Sequence, residues 1–235
     1  GKKVLRVLPR INEEINEEWI SDKTRFAIDG LQKQRLDRPY IRENNKLKET
    51  SWNNDLKILS EKIKKTLPEN IIALSGNLTD VETLMATKIF FNNIGSKNYE
   101  CRIDNVKIDP SIRSSYVFNS SISNIENSDL ILLVGTNPRW ESSILNARIR
   151  KSYLNNNISI ALIGNKKDLT YKYDHLGTSL KILEEILNGN SNFSKILESA
   201  KKPMIIIGQS ALSREDGEAV LYICNKISTK YGFIN

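Results

Sequence analysis

From Asp129 to Gly164 the chain reads DLILLVGTNPRWESSILNARIRKSYLNNNISIALIG, and this stretch constrains the fold more than any other. An apolar run, Leu130 to Val134, breaks at Gly135-Thr136-Asn137-Pro138. A helix-like segment follows, and a second apolar run, Ile158 to Ile163, ends at Gly164. Two short apolar runs joined by a helical segment pair in parallel through a right-handed crossover, so both strands point their carboxyl ends at one rim of a sheet. In an open parallel sheet that rim is where ligands bind.

Four segments share this ending: IIALSGN, ILLVGTN, IALIGN and MIIIGQS, closing at Gly76, Gly135, Gly164 and Gly208. A turn from strand to helix needs a residue that can take positive φ or let backbones approach closely, and a small polar side chain to cap the next helix. Four such units predict an α/β fold, a Rossmann-like parallel sheet with helices on both faces.

Residues 1–50 read as an irregular extension, dense in charge and poor in apolar periodicity. Trp19, Phe26 and Ile28 are its candidate anchors. Asp22, Asp29 and Asp37 lie near Arg25, Arg35, Arg38 and Arg42, pairs that are worth about 0–1 kcal/mol each on a surface. Residues 51–235 read as the Rossmann-like domain. Ser51 caps a helix with Trp52, Leu56, Leu59 and Ile63 on one face, closed by Pro68. Asp80 opens a second helix that runs to Gly95, Tyr99 to Ile103 suggests a short strand, and residues 104–119 read as a loop. In the crossover helix Leu145, Ile149 and Tyr153 stack on one face, leaving Arg148, Arg150 and Lys151 outward. A loop holding Tyr171, Tyr173 and His175 comes next. Helices over Leu180–Gly189 and Phe193–Ala200, a strand over Pro203–Gly208 and a helix over Glu215–Tyr231 complete the reading.

Composition narrows the function. No run approaches the roughly 18 apolar residues that cross a bilayer, so membrane contact is expected only through partners. Cys101 and Cys224 are far apart and outside any CxxC pair, which indicates neither a metal site nor a disulfide framework. The net charge is +7, but the basic residues are dispersed and no aromatic-basic strip accompanies them, so nucleic acid is not expected. The absence of an initiating Met suits a processed product or one piece of a larger protein.

The motifs that would carry chemistry are incomplete. Each turn glycine stands alone, without GxGxxG, and no phosphate-binding GxxxxGK precedes Asn165-Lys166-Lys167-Asp168, whose likeness to a guanine-reading element is therefore a decoy. His175, the single histidine, has no GxSxG serine or activated cysteine to serve and reads as a structural hydrogen-bonding residue. Glu17, Glu18 and Asp22 lack further ligand groups for a metal. The residues alone describe a nucleotide-fold domain with no catalytic set and no metal site.

Several blocks nevertheless go together: Arg6-Val7-Leu8-Pro9-Arg10; Ile15 to Phe26, INEEWISDKTRF; Gly135-Thr136-Asn137-Pro138-Arg139; Asn146 to Ser152, NARIRKS; and Leu169-Thr170-Tyr171 with Tyr173 to Gly177, YDHLG. In this order they resemble the large iron-sulfur (75 kDa) subunit family of respiratory complex I, NADH:quinone oxidoreductase, of mitochondrial or alphaproteobacterial type. The resemblance covers nearly the whole chain. That family's later part is similar to the molybdopterin oxidoreductases.

The resemblance implies a non-catalytic structural segment of the complex I peripheral arm, on the matrix side of the mitochondrial inner membrane or the cytoplasmic face of a bacterial one. The implied partners are other peripheral-arm subunits, including a ferredoxin-like part that carries the iron-sulfur clusters. In the molybdenum-containing relatives the segment matching Trp19 to Phe26 carries the last cysteine ligand of a [4Fe-4S] cluster. Here Ser21 stands at that position and Lys23 remains, and a hydroxyl is a poor replacement for a thiolate. Gly135, Thr136, Asn137 and Pro138 match a turn lining the pterin crevice, implied to be vestigial, so no cofactor is expected in this chain. The chain also stops short of the family's usual C-terminus. The competing expectations are a surviving molybdopterin-dependent oxidoreductase and a stand-alone nucleotide-binding module.

Overall fold

The structure, a computed structural model, describes residues 3–102 and 104–233. They fall into two compact units, one drawn from Gly1–Val4 with Ile28–Asp104 and the other from Leu5–Ala27 with Asn105–Asn235.

The leading segment of the larger unit contains α1 (Asp22–Phe26). The smaller unit then runs through β1 (Tyr40–Glu43), β2 (Lys46–Glu49), α2 (Trp52–Lys65), β3 (Ala73–Leu74), α3 (Val81–Ile94) and β4 (Tyr99–Glu100). The β1–β2 pair is an antiparallel hairpin inside the stretch expected to be irregular. Asn44 and Asn45 turn it with φ of +50° and +62°, left-handed values that asparagine tolerates and that match the twist of a two-residue hairpin. Both helices start as their sequence dictates. Ser51 Oγ accepts the Asn54 N–H at 3.3 Å, and Asp80 Oδ1 accepts the Thr83 N–H at 2.8 Å. Gly95, at φ +82°, closes α3.

A second expectation fails in this unit. IIALSGN contributes only the two residues of β3, which pair in parallel with β4 and take no part in the larger sheet. Gly76 has open space around it and no left-handed φ, so neither reason for a glycine applies there. Of the strand expected over Tyr99 to Ile103, Tyr99–Glu100 form β4, Cys101 and Arg102 do not extend it, and Ile103 lies outside the described residues.

The larger unit continues with β5 (Leu130–Val134), α4 (Pro138–Glu141), α5 (Ser143–Asn156), β6 (Ser159–Ile163), β7 (Asp174–Gly177), α6 (Lys181–Asn188), α7 (Asn192–Ser199), β8 (Pro203–Ile207), α8 (Gln209–Leu212) and α9 (Gly217–Tyr231). Its four strands are all parallel in the order β7-β6-β5-β8. Every residue of β5 is buried, as a strand covered on both faces requires. Alternation divides its side chains between two cores. Leu130, Leu132 and Val134 join Leu183, Ile186, Phe193, Val220 and Ile227 from α6, α7 and α9. Ile131 and Leu133 face Ile149 of α5, with Ile125 and Leu169.

The fourth place in the sheet belongs to β7, in a stretch expected to be a loop. Its residues Asp174-His175-Leu176-Gly177 form no apolar run, because an edge strand of four residues faces solvent along much of its length. His175 Nε2 lies 2.8 Å from the Gly164 carbonyl oxygen. This is the structural hydrogen bond expected of that residue.

Candidate functional site

The carboxyl rim of the larger sheet is built from the turns after β5, β6 and β8. Gly135 has φ +56°, and a Cβ placed there would lie 2.6 Å from the Ala211 Cβ. A Cβ on Gly208 would collide with the Gly135 carbonyl oxygen, and one on Gly164 would lie 3.5 Å from the Gly135 Cα. Gly208 is required by the packing of its turn on the Gly135 backbone, Gly135 by the close Ala211 side chain and its left-handed φ, and Gly164 by its φ of +139°. Ser210 Oγ also donates to the Gly135 carbonyl.

Glu141, at the end of α4, folds back over this turn. Its carboxylate accepts the Thr136 hydroxyl at 2.8 Å and the Asn137 N–H at 3.0 Å. Pro138 occupies the first helical position and is buried, where its lack of an N–H costs nothing. Asn137, the expected cap of this helix, makes no capping bond with its side chain. Its Oδ1 is sealed from solvent without a hydrogen-bond partner among the described residues. Glu141 performs the cap instead, a role the turn motif does not reveal.

Beside the rim, the loop carrying Asn165-Lys166-Lys167-Asp168 is tied to the crossover connection. Arg139 Nη1 donates to Asp168 Oδ2 at 2.5 Å and to its carbonyl at 3.2 Å. Asp168 Oδ1 accepts the Thr170 N–H at 3.0 Å. The Thr170 amide, then the Arg139 guanidinium, hold the Asp168 carboxyl below its ordinary range. Asn146 donates to the Leu169 carbonyl at 3.1 Å and accepts the Tyr171 hydroxyl at 2.9 Å. Burial pushes the Tyr171 phenol up. These groups fix a loop, and the aspartate is already engaged within the chain.

Ser21 lies elsewhere in the same unit, as the N-cap of α1. Its Oγ accepts the Thr24 N–H at 3.2 Å and shares a 3.0 Å hydrogen bond with the Thr24 hydroxyl. A capped hydroxyl does not fit a cluster ligand. Cys224 is packed in the core, and burial pushes its thiol up to about 12, so it does not supply a thiolate. Among the described residues no group of three His, Cys, Asp or Glu side chains is placed to hold a metal ion.

Ser21 also lines a groove of about 960 Å³, with Leu8, Ile15, Trp19, Phe118 and Ile144 among its walls. Trp19 and Phe26, expected to pin the segment to a neighbouring surface, are 57 % and 60 % exposed. Within this unit charged groups tie the segment down. Arg148, expected to face outward, is buried and reaches Glu17 and Glu126 at 3.4 Å each. It also donates to the Glu13 carbonyl. Lys151 bridges the same two carboxylates, at 3.2 Å to Glu126 and closely to Glu17, which raises its own pKa. Arg150 is exposed, as expected, and donates to the Thr170 carbonyl. No local pattern in the sequence shows that partners more than a hundred residues apart will meet.

The fit of the family's groups follows from this geometry. Glu141 engages the Thr136 hydroxyl and the Asn137 N–H, and the free acceptor at Asn137 does not attract an anion, so these groups of the turn do not suit the phosphate of a pterin.

Comparison with known proteins agrees with the resemblance. The molybdopterin oxidoreductase family model matches residues 35–235, and the model for the NADH-ubiquinone oxidoreductase NDSU1/NuoG-like 4Fe-4S domain matches residues 1–29. The G subunit of NADH-quinone oxidoreductase from Rickettsia conorii is 46 % identical over 100 % of this chain and 35 % of its own length. Its counterpart from Rickettsia felis is 44 % identical with the same shares, so the chain spans about a third of these relatives. Among solved structures, acetylene hydratase from Pelobacter acetylenicus superposes with a TM-score of 0.55 at 12 % identity, covering 91 % of this chain and 38 % of that one. That likeness speaks to fold. The chain belongs to the molybdopterin oxidoreductase family and is similar, over its whole length, to the G subunit of NADH-quinone oxidoreductase.

Proposed function

We propose that this stretch is a non-catalytic structural segment of the peripheral arm of proton-pumping NADH:ubiquinone oxidoreductase. It supports electron transfer from NADH to quinone through clusters carried elsewhere. The observation that carries the reading is the closed rim. Its turns after β5 and β8 pack in close contact, and Glu141 engages the Thr136 hydroxyl and the Asn137 N–H that could otherwise meet an anion.

In this reading the turn Gly135-Thr136-Asn137-Pro138 is a vestigial part of a Rossmann-like fold, Ser21 is a lost cluster-ligand position, and the chain binds no cofactor. Residues 51–235 are the molybdopterin-oxidoreductase-like part, incomplete relative to the family, and residues 1–50 are the degenerate leading segment. The iron-sulfur clusters belong to the adjoining ferredoxin-like part or to a partner chain. Trp19, exposed in the wall of the groove, supports packing against that part. The partners are other peripheral-arm subunits, on the cytoplasmic face of a bacterial inner membrane or the matrix side of the mitochondrial one. No helix among the described residues is long and apolar enough to cross a membrane.

Metal analysis and cofactor extraction on the purified native complex test this reading. The expected result is iron without molybdenum or tungsten. Stoichiometric molybdenum or tungsten replaces it with the second reading, a surviving pterin-dependent oxidoreductase, which the family match and the unpaired Asn137 Oδ1 favour. Replacing Trp19 and Arg25 with Ala is expected to weaken assembly of the arm, and unchanged assembly removes the packing role.

A further inference from the structure

The loop between β6 and β7 is held at more points than an exposed connection needs. Tyr173 Oη accepts the Lys167 N–H at 2.9 Å and donates to the Lys167 carbonyl at 2.5 Å. Arg139 and the Thr170 N–H hold the Asp168 carboxylate, while Asn146 and Arg150 donate to the Leu169 and Thr170 carbonyls. The Leu169 side chain is buried in the core. Thr170 takes φ +73°, a left-handed value that is strained for a β-branched residue and persists only where the surroundings enforce it. These bonds fix the frame of an open cavity of about 500 Å³, whose walls include Tyr171, Tyr173, Lys166, Lys167 and Lys172.

The three lysines are exposed, and none of their ammonium groups pairs with a carboxylate among the described residues. Of the two aspartates in the same walls, Asp168 is committed to Arg139, which leaves Asp174 as the one opposing charge. Cations gathered around one cavity repel one another, and an anionic partner relieves that repulsion. The backbone decides which anion fits. A compact phosphate is ordinarily gripped by free main-chain N–H groups, but the Lys167 and Thr170 N–H groups are already bonded inside the loop. What remains is side-chain charge on long stems around an open cavity, which suits several carboxylates spaced along a polypeptide. The concave shape and the Asp174 carboxylate disfavour a lipid surface or a nucleic-acid backbone. We propose that the β6–β7 loop docks an acidic segment of a different polypeptide, with Asp and Glu side chains of that segment on Lys166, Lys167 and Lys172 and an apolar side chain against the Tyr171 and Tyr173 rings. The loop's charge and geometry carry this whether or not the chain serves complex I, and the metal analysis that tests that reading leaves it untouched.

The test uses the full-length protein in its native assembly. Carbodiimide treatment joins a lysine to a carboxylate only where the two are in direct contact, and mass spectrometry reads the joined peptides. The expected result is isopeptide bonds from more than one of Lys166, Lys167 and Lys172 to Asp or Glu within one short segment of another polypeptide. In a variant combining Lys166→Gln, Lys167→Gln and Lys172→Gln, association at low salt is expected to weaken about tenfold through the loss of exposed pairs. The difference is expected to vanish at about 1 M salt, where screening removes those pairs from the wild type as well. Joined peptides confined to the same chain, or none from these lysines, overturn the proposal, as does a variant that associates like the wild type at low salt. Binding to phosphatidylglycerol vesicles or to nucleic acid that depends on these lysines, in place of the isopeptide bonds, overturns it too. Because cross-linking is read on the unsubstituted protein, a folding defect in the variant does not obscure the answer.

Discussion

Arg148→Met is the sharpest test of how the leading segment is held. The side chain of Arg148 is 4 % exposed, and its guanidinium faces Glu17 and Glu126 at 3.4 Å. Methionine keeps the aliphatic stem and removes the charge, which leaves two half-buried carboxylates and the Glu13 carbonyl short of a donor. Breaking a buried pair by removing one partner costs about 3–5 kcal/mol, mostly from the charge left behind. Lys151 stays in contact with both carboxylates from a more exposed position. The loss therefore belongs at the lower end, about 3 kcal/mol.

Urea unfolding reads this as a lower midpoint at unchanged slope. Arg148→Met in a Glu17→Gln background is expected to cost less than in the wild type, because the orphaned charge is then smaller. High salt is expected to change the loss little, since buried pairs are weakly screened. A loss below about 1 kcal/mol, the range of exposed ion pairs, refutes the buried-network reasoning.

Three further outcomes follow from the geometry. Gly208→Ala and Gly135→Ala drive a Cβ into the Gly135 carbonyl and the Ala211 side chain respectively and are expected to reduce soluble expression and lower Tm, whereas Gly76→Ala, with open space around it, is expected to be neutral or to stabilise by about 0.4–1 kcal/mol. Asp168 has a folded pKa below its ordinary 3.8, so its contribution is present above that value and lost as pH falls through the folded pKa; Asp168→Asn is expected to flatten that part of the acid-denaturation curve. With Cys101 exposed and the Cys224 thiol buried and pushed up to about 12, a thiol reagent is expected to titrate one fast equivalent in the native protein and two after denaturation.

Legibility in the sequence follows hydrophobicity. The βαβ unit is readable because Leu130–Val134 and Ser159–Ile163 are buried on both faces along nearly their whole length, and such strands must be apolar at nearly every position. Ser51, Asp80 and Gly95 announce their helix ends because caps act within a few residues. The errors come where that signal is weak or misleading. β7 has four partly or fully exposed residues and no apolar run, and the β1–β2 hairpin carries charge on both sides of its Asn-Asn turn. IIALSGN has the composition of a buried strand, yet Ile72 and Leu74 stand exposed.

The site divides along the same line. The rim's position follows from topology, since parallel strands gather their carboxyl ends whatever their side chains. Its meaning depends on one contact, Glu141 reaching back to Thr136 and Asn137, which a motif search over Gly135 to Pro138 does not include. A nucleotide-binding turn leaves its amides free to meet phosphate. Here a carboxylate from the same chain already stands there, and a second anion would meet that charge before it met a donor. The glycines are retained for a different reason, because the turns after β5 and β8 approach so closely that a Cβ at either would strike its neighbour. Packing by itself is thus enough to account for the glycines at this rim.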